Sequence, residues 1–169
     1  MASGASRVTT SNRKVQKLGH FLFGRRDEIL YPTDDDYEKV YSLWKQTEGL
    51  SLEESDTREG ISLYLGRNPG LCFVAMVSGE IVAAVLCGHE GRRGILRHLA
   101  VKPEFRRKGI ARTLVKECLA GLAKEGIKKC NTFVLDEDPE ARQFWEHMGW
   151  SLLEDNYRTL QSQTKQGKH

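Results

Sequence analysis

The residues best suited to chemistry stand in one run, Leu99-Ala100-Val101-Lys102-Pro103-Glu104-Phe105-Arg106-Arg107-Lys108-Gly109-Ile110-Ala111-Arg112. Arg106, Arg107, Lys108 and Arg112 crowd the start of a segment with helical apolar spacing, where a helix macrodipole is already positive and disfavours cations. An anion would resolve that conflict. Backbone N–H groups at a helix start lack acceptors of their own, and Gly109 lets a phosphate approach the main chain with no Cβ in the way. The pattern predicts an anion-binding turn, with a diphosphate as its natural guest. The competing reading is a solvated basic turn whose glycine serves geometry alone. The apolar strand, proline stop, cation cluster and strongly apolar helix, taken together, favour the anion.

Proton transfer needs a second set of groups. His98, just before the Leu-Ala-Val strand end, is the first candidate base, because imidazole changes charge near neutrality. A strand histidine can equally face solvent or satisfy a local hydrogen bond. His89 and Glu90, near another strand end, rank below it. Tyr37, Tyr41 and Trp44 share one helical face and read first as core, with Tyr41 or Trp44 also able to line a pocket. Glu53, Glu54, Asp56 and Glu59 could attract a cation but read first as a solvated helix face. Other chemistries lack support in the sequence. No clustered ligand set suggests a metal, no Gly-x-Gly-x-x-Gly opens a helix after an early strand, and no Ser or Cys nucleophile has a recognisable elbow.

The elements that must position these groups follow from periodicity. Glu28 to Tyr31 reads as a short strand, and a helix runs from the Asp34-Asp35-Asp36 acids to about Gln46. A second helix spans Leu52 to Leu65, closed by Gly66. Leu71 to Val77 and Glu80 to Cys87 form a hairpin about Ser78-Gly79, and Ile95 to Val101 is a third consecutive strand that Pro103 ends. Ile110, Leu114, Val115, Cys118, Leu119 and Leu122 trace a helix face up to Gly126. Thr132 to Leu135 then reads as a strand, Pro139 to Met148 as a helix, and Trp150 to Leu153 and Tyr157 to Leu160 as final strands. A meander followed by strand, helix, strand, helix and strand predicts an α+β fold, one sheet flanked by helices.

The 169 residues suit one domain; 39% are hydrophobic and 29% charged, which excludes a disordered chain. The formal net charge of +3 hides an asymmetry. Residues 1–26 carry Arg7, Arg13, Lys14, Lys17, Arg25 and Arg26 without an acid, leaving 20 positive against 23 negative side chains in the rest. An acidic body argues against nucleic acid as a partner. Residues 1–26 are expected to be a flexible basic arm, an extension or, given their Ser and Arg content, an organelle transit segment. The longest apolar runs, such as Ile81 to Cys87, are too short to span a membrane. Cys72, Cys87, Cys118 and Cys130 each lie in an apolar segment and predict four buried thiols in a reducing cytoplasm.

The motif Arg106-x-x-Gly109-x-Ala111, with Leu99-Ala100-Val101-x-Pro103 before it, resembles the GCN5-related N-acetyltransferase family, whose hallmark is Arg or Gln, two residues, Gly, one residue, then Gly or Ala. A second block, Asp138 to Trp150, is similar to that family's helix ending in glycine and an aromatic, and the resemblance covers about residues 29 to 160.

The resemblance implies an α/β-sandwich-like, mixed and mostly antiparallel sheet, with acetyl-CoA in a cleft where the strands ending near Val101 and Leu135 splay apart. It implies that the backbone of Leu99, Ala100 and Val101 holds pantetheine. The pyrophosphate would lie on the main-chain N–H groups from Arg107 to Arg112, with Arg106, Arg107, Lys108 and Arg112 adding charge. Asp138, Ala141 and Phe144 would border the cofactor's distal arm and sulfur. The implied reaction is direct acetyl transfer to a primary amine, with a backbone N–H near Leu99 polarising the carbonyl. Trp145 stands where the family often has an acidic tyrosine, and an indole cannot take that role. The alternative is a catalytically weak acyl-CoA-binding or sensory domain. The expected layout is the arm at 1–26, an acetyltransferase domain over 27–165 and a tail at 166–169. No metal is expected; a homodimer is.

Overall fold

The structure is a computed structural model describing Lys14–Lys17 and residues 27–153. Six strands form one sheet in sequential order: β1 (Lys14–Lys17), β2 (Glu28–Leu30), β3 (Phe73–Val77), β4 (Glu80–His89), β5 (Gly94–Val101) and β6 (Cys130–Thr132). Neighbours are antiparallel except β5 and β6, which run parallel because a helix crosses between them. The α-helices of the described residues are α1 (Tyr37–Lys45), α2 (Arg58–Arg67), α3 (Ile110–Lys124) and α4 (Pro139–His147). The sheet is therefore mixed and mostly antiparallel with helices on its faces, as expected.

Two apolar clusters cover the two faces. Phe73, Ala75 and Val77 of β3 and Ala83, Val85 and Cys87 of β4 pack with Ile110, Leu114, Val115, Cys118 and Leu122 of α3. The alternate residues Val74, Ala84 and Leu86 pack instead with Val40, Leu43 and Trp44 of α1 and Ile61 of α2. With both faces covered, β4 is buried without interruption from Ile81 to Gly88, which is why it reads as an apolar run rather than an alternation.

Several expectations need correction. The basic arm is not wholly an appendage, since Lys14–Lys17 adds an antiparallel edge strand to β2. The second helix begins at Arg58, not Leu52. Glu54–Asp56 winds a separate 3₁₀ turn, and Thr57 caps α2 by accepting the Gly60 N–H at 3.1 Å. Gly66 lies inside α2, which runs on to Arg67. After α3, the paired strand is Cys130–Thr132; Phe133 and Leu135, 68% and 55% exposed, have left the sheet. Their apolar character imitates a strand, but pairing requires a neighbour, and β5 has turned away there. Trp150–Leu153 is irregular rather than a strand. The Tyr157–Leu160 strand and the 166–169 tail lie outside the described residues.

Candidate active site

The site begins with an irregularity in β5. Ala100 pairs with Ala84 and Arg97 with Leu86, so three steps along β5 answer two along β4, and His98 and Leu99 have no register partner. This is a β-bulge, and His98 sits in the left-handed region with φ 53°. The extra residue changes which face each side chain meets. Leu96 packs in the α3 cluster, Leu99 also meets that cluster, and Ala100 belongs to the α1 cluster. His98 turns to the α1 side, against Trp44, with ring centroids 5.0 Å apart in an edge arrangement. Its conformation costs of order 1 kcal/mol and persists only where surroundings over-determine it. Here the Trp44 indole N–H donates to the His98 carbonyl at 2.9 Å, and the imidazole Nε2 meets Asp56 Oδ1 at 2.9 Å.

The bulge also opens the sheet. β5 and β6 pair only through Gly94, Ile95 and Leu96 with Cys130, Asn131 and Thr132, and the Thr132 hydroxyl donates to the Leu96 carbonyl at 3.1 Å to close the last pair. Beyond it β5 continues from Arg97 to Val101 without a β6 partner, leaving a cleft between the diverging chains. Arg97 spans its mouth, its guanidinium 5.1 Å from the Phe133 ring centre.

At the end of β5 the chain turns through a 3₁₀ turn, Pro103–Phe105, into α3. Arg107 (φ 62°) and Gly109 (φ 80°) are both left-handed. A Cβ on Gly109 would meet nothing within 4 Å, so backbone conformation rather than crowding selects glycine there. Gly109 caps α3 without a side-chain hydrogen bond, and no acid stands in the first turn. The N–H groups of Ile110, Ala111 and Arg112 therefore have no acceptor within their own helix. Arg106 does something the sequence did not suggest: its Nε donates to the Val101 carbonyl at 3.0 Å and pins the turn to the strand end. Arg107, Lys108 and Arg112 are exposed around the helix start.

After β6, Asp138 caps α4 by accepting the Ala141 N–H at 2.9 Å, with Ala141 and Phe144 half-buried. Trp145 is core, 8% exposed and packed between Phe144 and Trp150 with ring centroids at 5.0 and 4.6 Å. His89 is separate from the site. Its Nε2 meets Glu125 at 2.5 Å while Nδ1 accepts the Gly91 N–H, which ties the β4–β5 turn to the end of α3. Glu90 faces Arg92 at 3.4 Å. Tyr37 is half-buried, lines a pocket with Val40 and Trp44, and donates its hydroxyl to the Asp56 carbonyl at 2.7 Å, which ties the first helix to Asp56.

Asp56, which the sequence offered only as one of four acids able to attract a cation, has a more particular place. It is 6% exposed, whereas an acid run reads as solvated surface. Its signal was Glu53-x-x-Asp56, the spacing of a reciprocal cap: Asp56 Oδ2 accepts the Glu53 N–H at 2.8 Å and leaves Oδ1 for His98. Among the described residues no group of three or more His, Cys, Asp or Glu is placed to hold a metal, and no helix is long and apolar enough to cross a membrane.

Known proteins resemble this chain in sequence and in fold. An acetyltransferase of Pectobacterium atrosepticum is 32% identical over 127 residues, 75% of this chain and 89% of that protein. One from Photorhabdus laumondii is 35% identical over 114 residues, 68% of this chain and 78% of the relative. Among solved structures, the PaiA N-acetyltransferase of Thermoplasma acidophilum in complex with coenzyme A superposes with a TM-score of 0.70 at 19% identity, over 78% of this chain and 94% of that one. Ard1 of Thermoplasma volcanium does so with 0.68 at 19% identity, over 76% and 85%. The acetyltransferase (GNAT) family model matches residues 37–150, which span the bulge, the cleft and the α3 turn alike, and the chain belongs to that family.

Proposed function

We propose that the protein transfers the acetyl group of acetyl-CoA to a primary amine, by direct attack while both reactants are bound. The observation that carries this reading is the parting of β5 from β6 above the uncapped start of α3. Acetyl-CoA, when bound, supplies the activated acetyl thioester. The left-handed backbone at Arg107 and Gly109 and the open N–H groups of Ile110, Ala111 and Arg112 suit a pyrophosphate, with Arg107, Lys108 and Arg112 adding charge. Arg106 acts through Val101, holding the turn against the strand. The backbone of Leu99, Ala100 and Val101, facing the cleft, takes the pantetheine arm, and Asp138, Ala141 and Phe144 line its far wall.

The bulge leaves the Leu99 N–H outside the ladder register, where it can meet the carbonyl oxygen as negative charge develops. His98 is the base. An ionised carboxylate can only accept, so Asp56 fixes Nε2 as the protonated nitrogen and leaves Nδ1 with its lone pair. Among the described residues Nδ1 makes no hydrogen bond, and it is not one of the buried atoms left without a partner there. In the overall reaction an ammonium loses two protons, one to the thiolate and one through the base, as C–N forms and C–S breaks.

Trp145 supports the second reading, a weak acyl-CoA-binding domain, because its burial leaves no acid at the position the family often uses. Calorimetric titration with acetyl-CoA, CoA and ATP, followed by thiol release across a panel of amines, separates the two. Selective acetyl-CoA binding with thiol release supports the transferase. Binding without release under any amine leaves the binding domain, and no binding overturns both.

A further inference from the structure

We propose that Asp56 is a positioning residue that aims the His98 base, an inference resting on the acetyl-transfer reading above. Asp56 is held from three sides. Its Oδ2 accepts the Glu53 N–H at 2.8 Å, its carbonyl accepts the Tyr37 hydroxyl at 2.7 Å, and its Oδ1 meets His98 Nε2 at 2.9 Å. The aspartate and histidine side chains are only 7% and 12% exposed. Such burial excludes competing water and strengthens a charge-assisted hydrogen bond. Tyr37 is in turn braced by the Arg58 guanidinium, 4.9 Å from its ring centre, and Arg58 is anchored on the Asp34 carbonyl and Glu38.

The arrangement fixes both the tautomer and the direction of the imidazole. With Nε2–H directed at Asp56 and the His98 carbonyl clasped by Trp44, the ring can present only Nδ1 to an acceptor. An ammonium entering there passes one proton to Nδ1 and becomes a free amine; the ring becomes imidazolium while its Nε2–H bond to the carboxylate stays in place. Asp56 itself exchanges no proton. A carboxylate that only tied the α1–α2 segment to the sheet would matter equally whether or not His98 were present, and that difference is testable.

Steady-state turnover with an amine at saturating acetyl-CoA is measured for Asp56→Asn, His98→Ala and the double variant, with thermal melts confirming the fold. Misaiming a catalytic group by a fraction of an ångström lowers rate by about 10- to 100-fold, so Asp56→Asn is expected to lose kcat in that range. Its acetyl-CoA Kd should stay within about twofold, because the carboxylate lies away from the α3 turn. Adding Asp56→Asn to His98→Ala should cause no further loss. Full kcat in Asp56→Asn, or the same fold-loss in both backgrounds, overturns the proposal. Unchanged turnover in His98→Ala removes the base assignment and this proposal with it, while intact acetyl-CoA binding would leave the transferase reading standing. Should Asp56→Asn not fold, nitrogen-15 NMR of the unaltered protein decides: a His98 ring protonated at Nε2 and bare at Nδ1 supports the positioning role, and the opposite tautomer overturns it.

Discussion

The two halves of the proposed site are built differently. The anion turn, from Arg106 to Arg112, is contiguous in sequence and works mainly through backbone: two left-handed residues, an uncapped helix start and an arginine that bonds the strand preceding it. The acceptor half joins Trp44, Asp56 and His98, brought together across 54 and 42 residues of chain, and works through side chains on a bulge. A site made of backbone tolerates any residue that permits the conformation, whereas a site made of distant side chains fails when one contact is lost.

The largest effect should come at the turn. Gly109→Glu places a carboxylate at the uncapped helix start, and with open space around its Cβ the fold should survive a strain of about 1 kcal/mol. Calorimetry is expected to find acetyl-CoA affinity reduced by roughly a hundredfold or more, since like charges now compete for the same N–H groups. Retained affinity would move the anion elsewhere and dissolve the contrast. Next, His98→Ala should lower kcat with the amine by about a hundredfold, within the range of general-base contributions, while acetyl-CoA binding holds. Were affinity to fall instead, the two halves would not be separable.

Trp44→Phe keeps the ring but removes the donor to the bulge carbonyl. We expect kcat to fall about tenfold and stability by about 1 kcal/mol, read by thiol release and denaturant titration. An unchanged kcat would show that the bulge holds its shape without Trp44.

The last effect, read across pH rather than in a variant, concerns the core both halves share. Burial pushes the Cys72 thiol from an ordinary 9.0 up to about 12, and contacts with the Cys118 and Cys87 thiols raise Cys87 and Cys130 respectively. These thiols stay neutral when folded but ionise above pH 9 when unfolded. Their stabilisation is thus complete below pH 9 and lost as pH rises toward 12. Thermal melts should show a melting temperature that declines across that window, and a flat profile would mean that the thiols ionise alike in both states.

Local pattern carried much of this molecule. The spacing of Tyr37, Tyr41 and Trp44, and of Ile110, Leu114, Cys118 and Leu122, marks α1 and α3, and Ser78-Gly79 marks the β3–β4 turn. The glycine turn between β5 and α3, proposed above as the anion site, was legible as a turn for the same reason, its residues being neighbours in the chain. The end of β6 was not, because Phe133 and Leu135 have strand-like side chains but no strand to pair with. Asp56 was not legible either. An acid among acids looks solvated until a fold sets a histidine 2.9 Å away.

The bulge in β5 behaves as a frameshift written into the sheet. Alternation counted from Leu96 fails at Leu99 and Ala100, yet Ala100 meets the same cluster as its partner Ala84, so the strand absorbs a single extra residue without moving those that follow. Deleting one residue between Arg97 and Leu99 would keep the composition of the strand nearly intact and restore an unbroken alternation. It would leave Leu99 and Ala100 on the faces they now meet, opposite Val85 and Ala84, while removing the irregularity at which β5 parts from β6 and closing the gap on which the cleft depends. In this strand, function is stored less in which residues are present than in their number.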